Sequence, residues 1–178
     1  FGSAAEFENA AISDHSITFD SNVNRVVISF RDEGNSNYAT AIVGAVSGTS
    51  ISFGSPVVYE SANPEAQAIT FDSNSNKVVI VYSDIGNGQN GTAIVGTVSG
   101  TSISFGSESV FKDAQIEIES RTHTTFNSGI NKVIITYMRI SDDGAYYAGT
   151  VVIGTVSGTD ITFGTPVVFN AATSAYST

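Results

Sequence analysis

His15 and His123 are the two side chains of this sequence able to act as general bases near neutral pH. They fall at non-equivalent places in the repeat described below, and neither lies in a nucleophile motif of the G-x-S-x-G, H-E-x-x-H or S-x-x-K kind. Paired carboxylates stand at Asp142 and Asp143 and at Glu117 and Glu119. Glycoside hydrolysis needs two carboxyl groups about 5–10 Å apart across a cleft, a spacing that adjacency in sequence does not supply, and solvated loop charge accounts for both pairs. Cysteine is absent, so thiol nucleophiles, thiolate zinc sites and disulfides are excluded. No catalytic residue is expected, and the chain reads as non-enzymatic.

Oxygen-bearing side chains do recur with a spacing that suits a hard cation. The turns D-S-N-V-N-R (Asp20–Arg25) and D-S-N-S-N-K (Asp72–Lys77) resemble the opening of a calcium loop, which makes Asp20 and Asp72 the Ca2+ candidates. The bidentate acid that closes such a loop is missing, Arg25 or Lys77 follows, and the third copy, N-S-G-I-N-K (Asn127–Lys132), has no Asp. Asn and Asp are also the residues that close tight turns, so no cofactor is expected. A second acidic turn, D-x-G, stands at Asp32–Gly34, Asp84–Gly86 and Asp142–Gly144. It is similar to the Asp-box of sialidase-type propellers, although the chain has no Trp and the turn is a different one; an Asp-capped turn explains it.

The elements that carry these residues are repeated. V-S-G-T-S-I-S-F-G-S occurs at Val46–Ser55 and again at Val98–Ser107, and V-S-G-T-D-I-T-F-G-T follows at Val156–Thr165. Phe-Gly pairs at Phe1, Phe53, Phe105 and Phe163 set steps of 52, 52 and 58 residues. Each unit predicts four short strands, for example I-T-F-D, R-V-V-I-S-F, T-A-I-V-G-A-V and S-I-S-F-G-S-P-V-V-Y-E, rich in β-branched and aromatic residues and separated by Gly, Asn, Asp and Ser. The second and third strands are apolar on both faces, as a sheet packed between two others requires. The fourth carries Pro56 or Pro166, which suits a sheet edge.

The expected fold is all-β: a single repeat domain over 1–178 of propeller-like, four-stranded antiparallel blades in tandem. The units run approximately 1–52, 53–104 and 105–162, with 163–178 as the outer strand of the third blade. Three blades plus one outer strand cannot close a ring of the usual four to eight blades, so the chain is expected to be part of a longer array or to close by assembly.

Divergence between the units points to a face. The turns joining first to second and third to fourth strands hardly change, whereas DEGNSNY, DIGNGQNG and RISDDGAYYAG differ, as do ENAAISDHS, ESANPEAQA and KDAQIEIESRTH. In a meander these two connections emerge together, and loops carry function while the scaffold keeps spacing. The ligand-binding candidates are therefore Asp32, Asn35, Tyr38, Asp84, Asn87, Asp142, Asp143, Tyr146 and Tyr147, with tyrosine a favoured contact for sugars and protein partners. Both histidines also fall in these connections.

Net charge of −10 with no basic patch opposes nucleic acid. No apolar run approaches the roughly 20 residues of a membrane span, and no secretory signal opens the chain. Charged residues are only 13%, so Ser, Thr, Asn and Gly must cover the surface.

In the order of turn, strand pair and Phe-Gly, the units resemble FG-GAP propeller repeats, without that family's glycine-closed acidic calcium loop. In composition and near-identity they are similar to the tandem repeats of phage tail fibres and microbial surface proteins. That resemblance implies an extracellular or virion-surface module for adhesion or appendage structure, with a glycan or protein ligand and self-association or neighbouring blades as partners. A lectin-like propeller is the alternative, and a glycosidase-type enzyme a third reading.

Overall fold

The computed structural model describes residues 2–116, 122–140 and 147–171, and within them the chain is all-β, built as three antiparallel sheets. The first sheet holds β1 (Ile12–Asp20), β2 (Arg25–Asp32), β3 (Tyr38–Ser47), β4 (Ser50–Phe53) and β5 (Val57–Glu60). The middle sheet holds β6 (Glu65–Asp72), β7 (Lys77–Asp84), β8 (Asn90–Ser99), β9 (Ser102–Phe105) and β10 (Ser109–Gln115). The third holds β11 (His123–Asn127), β12 (Lys132–Ile140), β13 (Tyr147–Ser157), β14 (Asp160–Phe163) and β15 (Val167–Ala171). No described helix is long and apolar enough to cross a membrane.

Each sheet is a meander of its first three strands whose third strand carries both remaining strands along its outer edge. The sequence suggests a single fourth strand interrupted at the Gly of Phe-Gly; the interruption is there, and it divides the run into two strands. In the first sheet Phe53 pairs with Gly44, the Gly54 amide donates to the Val43 carbonyl at 2.9 Å, and pairing resumes only at Val57 opposite Ala41. Pro56, which has no N–H, sits in the gap.

The invariant turns have a local cause. Asp20 Oδ1 accepts from the amides of Asn22 and Val23 at 2.9 and 3.2 Å, and Asp72 Oδ1 accepts from Asn74 and Ser75 at 2.9 and 3.0 Å. Asn127 Oδ1 accepts from Gly129 in the third copy at 3.0 Å. Asn24, Asn76 and Asn131 then take left-handed φ of 57°, 55° and 52°, a region Asn tolerates. The calcium candidates Asp20 and Asp72 are thus buried turn closers with loop amides pointing into the carboxylate.

Two apolar seams hold the sheets face to face. Val27, Val43 and Tyr59 of the first sheet meet Ile69, Val78, Ile80, Tyr82 and Ile94 of the middle sheet. Val79, Val81, Val95 and Phe111 then meet Val133, Ile135, Tyr137 and Val152 of the third. Val78, Val79, Ile80, Val81 and Tyr82 of β7 are wholly buried, as a strand covered on both faces must be. At each seam one ring from a fifth strand enters between two rings of the next sheet. Tyr59 lies 5.7 Å from Tyr82 and 5.2 Å from Phe105, and Phe111 lies 5.2 Å from Tyr137 and 5.7 Å from Phe163. The segment before β1 repeats the pattern, with Phe7 lying 5.3 Å from Phe30 and 5.7 Å from Phe53.

Candidate functional site

The first strand of each sheet begins earlier than I-T-F-D suggests. Polar S-D-H-S and E-A-Q-A extend β1 and β6 toward their starts, each through a bulge at which Asp14 and Ala66 adopt φ of 46° and 54°. Bulges re-aim side chains, and positive φ at an alanine is strained. Since β6 packs between β1 and β11, the three strand starts converge on one groove of about 280 Å³ lined by Asp14, His15, Ser16, Ala66, Gln67, Ala68, Thr122 and His123.

The histidines belong here rather than to the loops where the sequence reading puts them: His15 lies within β1 and His123 opens β11, both exposed. They are non-equivalent in the repeat, yet neighbouring strands bring them to one groove. Gln67 is fixed by Tyr59, whose hydroxyl donates to Gln67 Oε1, so the Gln67 amide nitrogen is the free end. That Nε2 and Thr122 Oγ1 are buried without a hydrogen-bond partner, although their residues are only 8% and 4% exposed. Gln67 and Thr122 line the groove, and each holds one buried polar atom without a partner just behind its surface, the feature that points to a ligand. Beside it, Arg31 Nη1 reaches Asp14 at 3.3 Å and Glu65 at 3.6 Å, tying the first sheet to the middle one. Burial, aided by Asp14 and opposed by Arg31, raises the Glu65 carboxyl above its usual range.

Among the described residues, variable connections adjoin at the first and middle sheets. The Glu33 amide donates to the Ala11 carbonyl at 3.1 Å, the Ile116 amide donates to the Gln89 carbonyl at 3.1 Å, and Asn90 Nδ2 donates to Asp113 Oδ1 at 3.3 Å. Asp32 and Asp84 are buried and cap the short 3-10 turns Glu33–Asn35 and Ile85–Asn87, Asp32 accepting from Gly34 and Asn35 and Asp84 from Asn87. Asn35 and Asn87 are exposed beside them, Tyr38 is half-buried at the start of β3, and Tyr147 opens β13 opposite Ile140. Asp142, Asp143 and Tyr146 lie outside the described residues.

Across the first seam a carboxylate cluster forms that the sequence does not announce. Glu60 at the end of β5 meets Asp84 and Glu108, with ligand-capable oxygens all within 4.8 Å. Oxygen ligands at that spacing could hold a hard cation, and carboxyl groups this close also oppose one another's ionisation. Burial first, and then Glu60, push the Glu108 carboxyl up to about 7. Burial opposes ionisation of Glu60, but the hydrogen bond from Glu108 and the amides of Ala62 and Ser61 hold it below its ordinary value. The Tyr82 hydroxyl donates to Glu108 Oε1 at 2.6 Å. Because Glu108 keeps in the folded state a proton that the unfolded chain releases near its ordinary 4.5, stability is expected to fall as pH rises from about 5 to 7. Asp84, raised by burial and then by Glu60, contributes a change of the same sign, beginning above its ordinary 3.8. Melting temperatures across that range should fall less steeply for Glu108→Gln than for the parent; an unchanged slope would remove Glu108 from the account.

No known protein family, curated protein or solved structure matches the chain.

Proposed function

We propose that the chain is a non-enzymatic binding module in which propeller-type blades hold a polar groove and a rim of variable loops toward a surface ligand. Its setting is an extracellular or virion-surface repeat protein used for adhesion or appendage structure. The three face-to-face meanders, with β1, β6 and β11 gathered on one side, support the blade reading. The near-identical units support a role in which scaffold is multiplied and contact residues vary.

The observation that carries the binding reading is the pair of unspent buried groups, Gln67 Nε2 and Thr122 Oγ1, in a groove flanked by His15 and His123. An amide donor, a hydroxyl and two exposed imidazoles suit a neutral, hydroxyl-rich ligand better than an anion, which Asp14 and the net charge of −10 would repel. This favours a glycan over a charged partner and makes the lectin-like alternative a narrower form of the same reading. Thr122→Val keeps the shape and removes one hydroxyl, so binding to a glycan array or a glycan-bearing surface should weaken by about tenfold with little change in melting temperature. Unaltered binding by Thr122→Val and His123→Ala, or silence of the parent protein on a broad array, would overturn the groove as the binding site.

A further inference from the structure

One position in the seams changes the sign of its charge between neighbouring units. In the first seam it holds three acids: Glu60 at the end of β5, Asp84 at the end of β7, and Glu108 just before β10. The repeat puts Lys112, Arg139 and Pro166 at the same three places in the second seam. The registers agree, because Tyr82 pairs with Thr92 two residues before Asp84, and Tyr137 pairs with Thr150 two residues before Arg139. The second seam thus gathers two of the chain's seven Lys and Arg residues.

The exchange leaves a polar group without its partner. In the first seam the Tyr82 hydroxyl donates to Glu108 Oε1 at 2.6 Å. Pro166 offers no carboxylate, and the Tyr137 hydroxyl is buried with no hydrogen-bond partner on a residue only 2% exposed. It stands just behind the surface of a cavity of about 160 Å³ lined by Lys112, Tyr137, Arg139, Thr150, Pro166 and Val168. Thr150 Oγ1 already donates to the Ala148 carbonyl at 3.2 Å, so Tyr137 supplies the unused donor. Burial raises the Tyr137 hydroxyl above its ordinary pKa and Arg139 opposes the rise, which sets a positive charge beside it. Among the described residues Lys112 is in no ion pair.

The mouth of this cavity belongs to the seam. Val168 is 39% exposed there, and its equivalent Val110, on the middle sheet that has a neighbour on each face, is 42% exposed. The net charge of −10 opposes an anion only weakly at this site, because charges more than about 10 Å away are largely screened at 0.1 M salt.

We propose that this cavity takes a carboxylate group, held by the Lys112 ammonium and the Tyr137 hydroxyl in the place that the Glu108 side chain fills in the first seam. Lys112 and Arg139 repel a cation, and a buried hydroxyl donor calls for an acceptor. Pro166 and Val168 give the cavity an apolar side against which a short carbon skeleton can lie. The ligand is therefore a small organic carboxylate, free or as the acid group of a sugar residue. The site shares no lining residue with the histidine groove.

NMR titration of the whole chain with sodium acetate and with sodium glucuronate, at ionic strength fixed with sodium chloride, tests this. Both should shift the Lys112 and Val168 amides saturably, and glucose should not. Lys112→Met and Tyr137→Phe should each weaken acetate binding by about tenfold. Tyr137→Phe should do so without lowering the melting temperature, since the hydroxyl has no partner to lose. Pro166→Glu places in the second seam the carboxylate of the first, so it should abolish acetate binding and raise the melting temperature. Thr122→Val, in the histidine groove, should leave acetate binding unchanged, so the two sites stand or fall separately. Tighter binding of glucuronate than of acetate supports the site as one for a sugar acid, and equal binding supports it as one for the carboxylate alone. No saturable shift with either carboxylate, glucose shifts equal to those of glucuronate, or acetate binding that survives both Lys112→Met and Pro166→Glu would each overturn the proposal.

Discussion

Phe111→Ala is expected to destabilise the protein by about 3–5 kcal/mol, the range for removing a buried aromatic side chain from a close-packed core. Phe111 is 6% exposed on β10 and bridges the middle and third sheets, with its ring 5.2 Å from Tyr137 and 5.7 Å from Phe163. Its other side is closed by backbone, since a Cβ at Gly91 would run into the Phe111 ring. Neither wall can collapse far into the space, because Tyr137 and the β8 backbone belong to different laddered sheets. At roughly 2–4 °C per kcal/mol for a chain of this size, thermal denaturation should show a loss on the order of 10 °C. Val110→Ala, one residue earlier and 42% exposed, should change stability by less than about 0.5 kcal/mol. Equal effects at the two positions would mean that Phe111 does not hold the seam.

The second large effect is expected from adding one methyl group. Gly54→Ala and Gly106→Ala put a Cβ against the carbonyl oxygens of Thr101 and Thr159. The atoms struck are backbone, so relief requires the sheets to move apart, at a cost of about 1–3 kcal/mol or more. The same substitution at Gly164, in the same F-G-x-P-V-V context as Gly54, meets only a carbonyl at 3.8 Å and should be close to neutral in the monomer. Melting curves of the three variants separate a seam effect from a strand effect. Comparable losses at all three positions would assign the cost to the broken fourth strand and not to sheet approach.

The repeat fixes more than its ten-residue signature. From sequence follow the all-β class, the meander order and the central runs of the second and third strands, because β-branched runs between turn formers leave the backbone few alternatives; the ladder carries β2 on to Asp32 and starts β3 at Tyr38, beyond the apolar runs R-V-V-I-S-F and T-A-I-V-G-A-V. The Asx turns at Asp20 and Asp72 and the capped turns at Asp32 and Asp84 were equally legible, since each depends on hydrogen bonds two or three residues away. The starts of β1 and β6 were not. Ser13, Asp14, His15 and Ser16 have no alternating apolar pattern, and only pairing to β2 across a bulge makes them strand. The groove was hidden for a related reason. His15, Gln67, Thr122 and His123 are spread over more than a hundred residues, and three separate strands bring them together.

Sequence alone determined local structure and its repetition, because turn chemistry and strand patterning act between residues close along the chain. Tertiary structure alone decided which faces are covered and which polar groups remain unspent. The face carrying Ile69 and the face carrying Ile17 are spelled alike, I-T-F-D in both, yet one is buried at 7% exposure and the other stands bare at 62%. What separates them is whether another sheet lies alongside, and no residue within either strand can encode that.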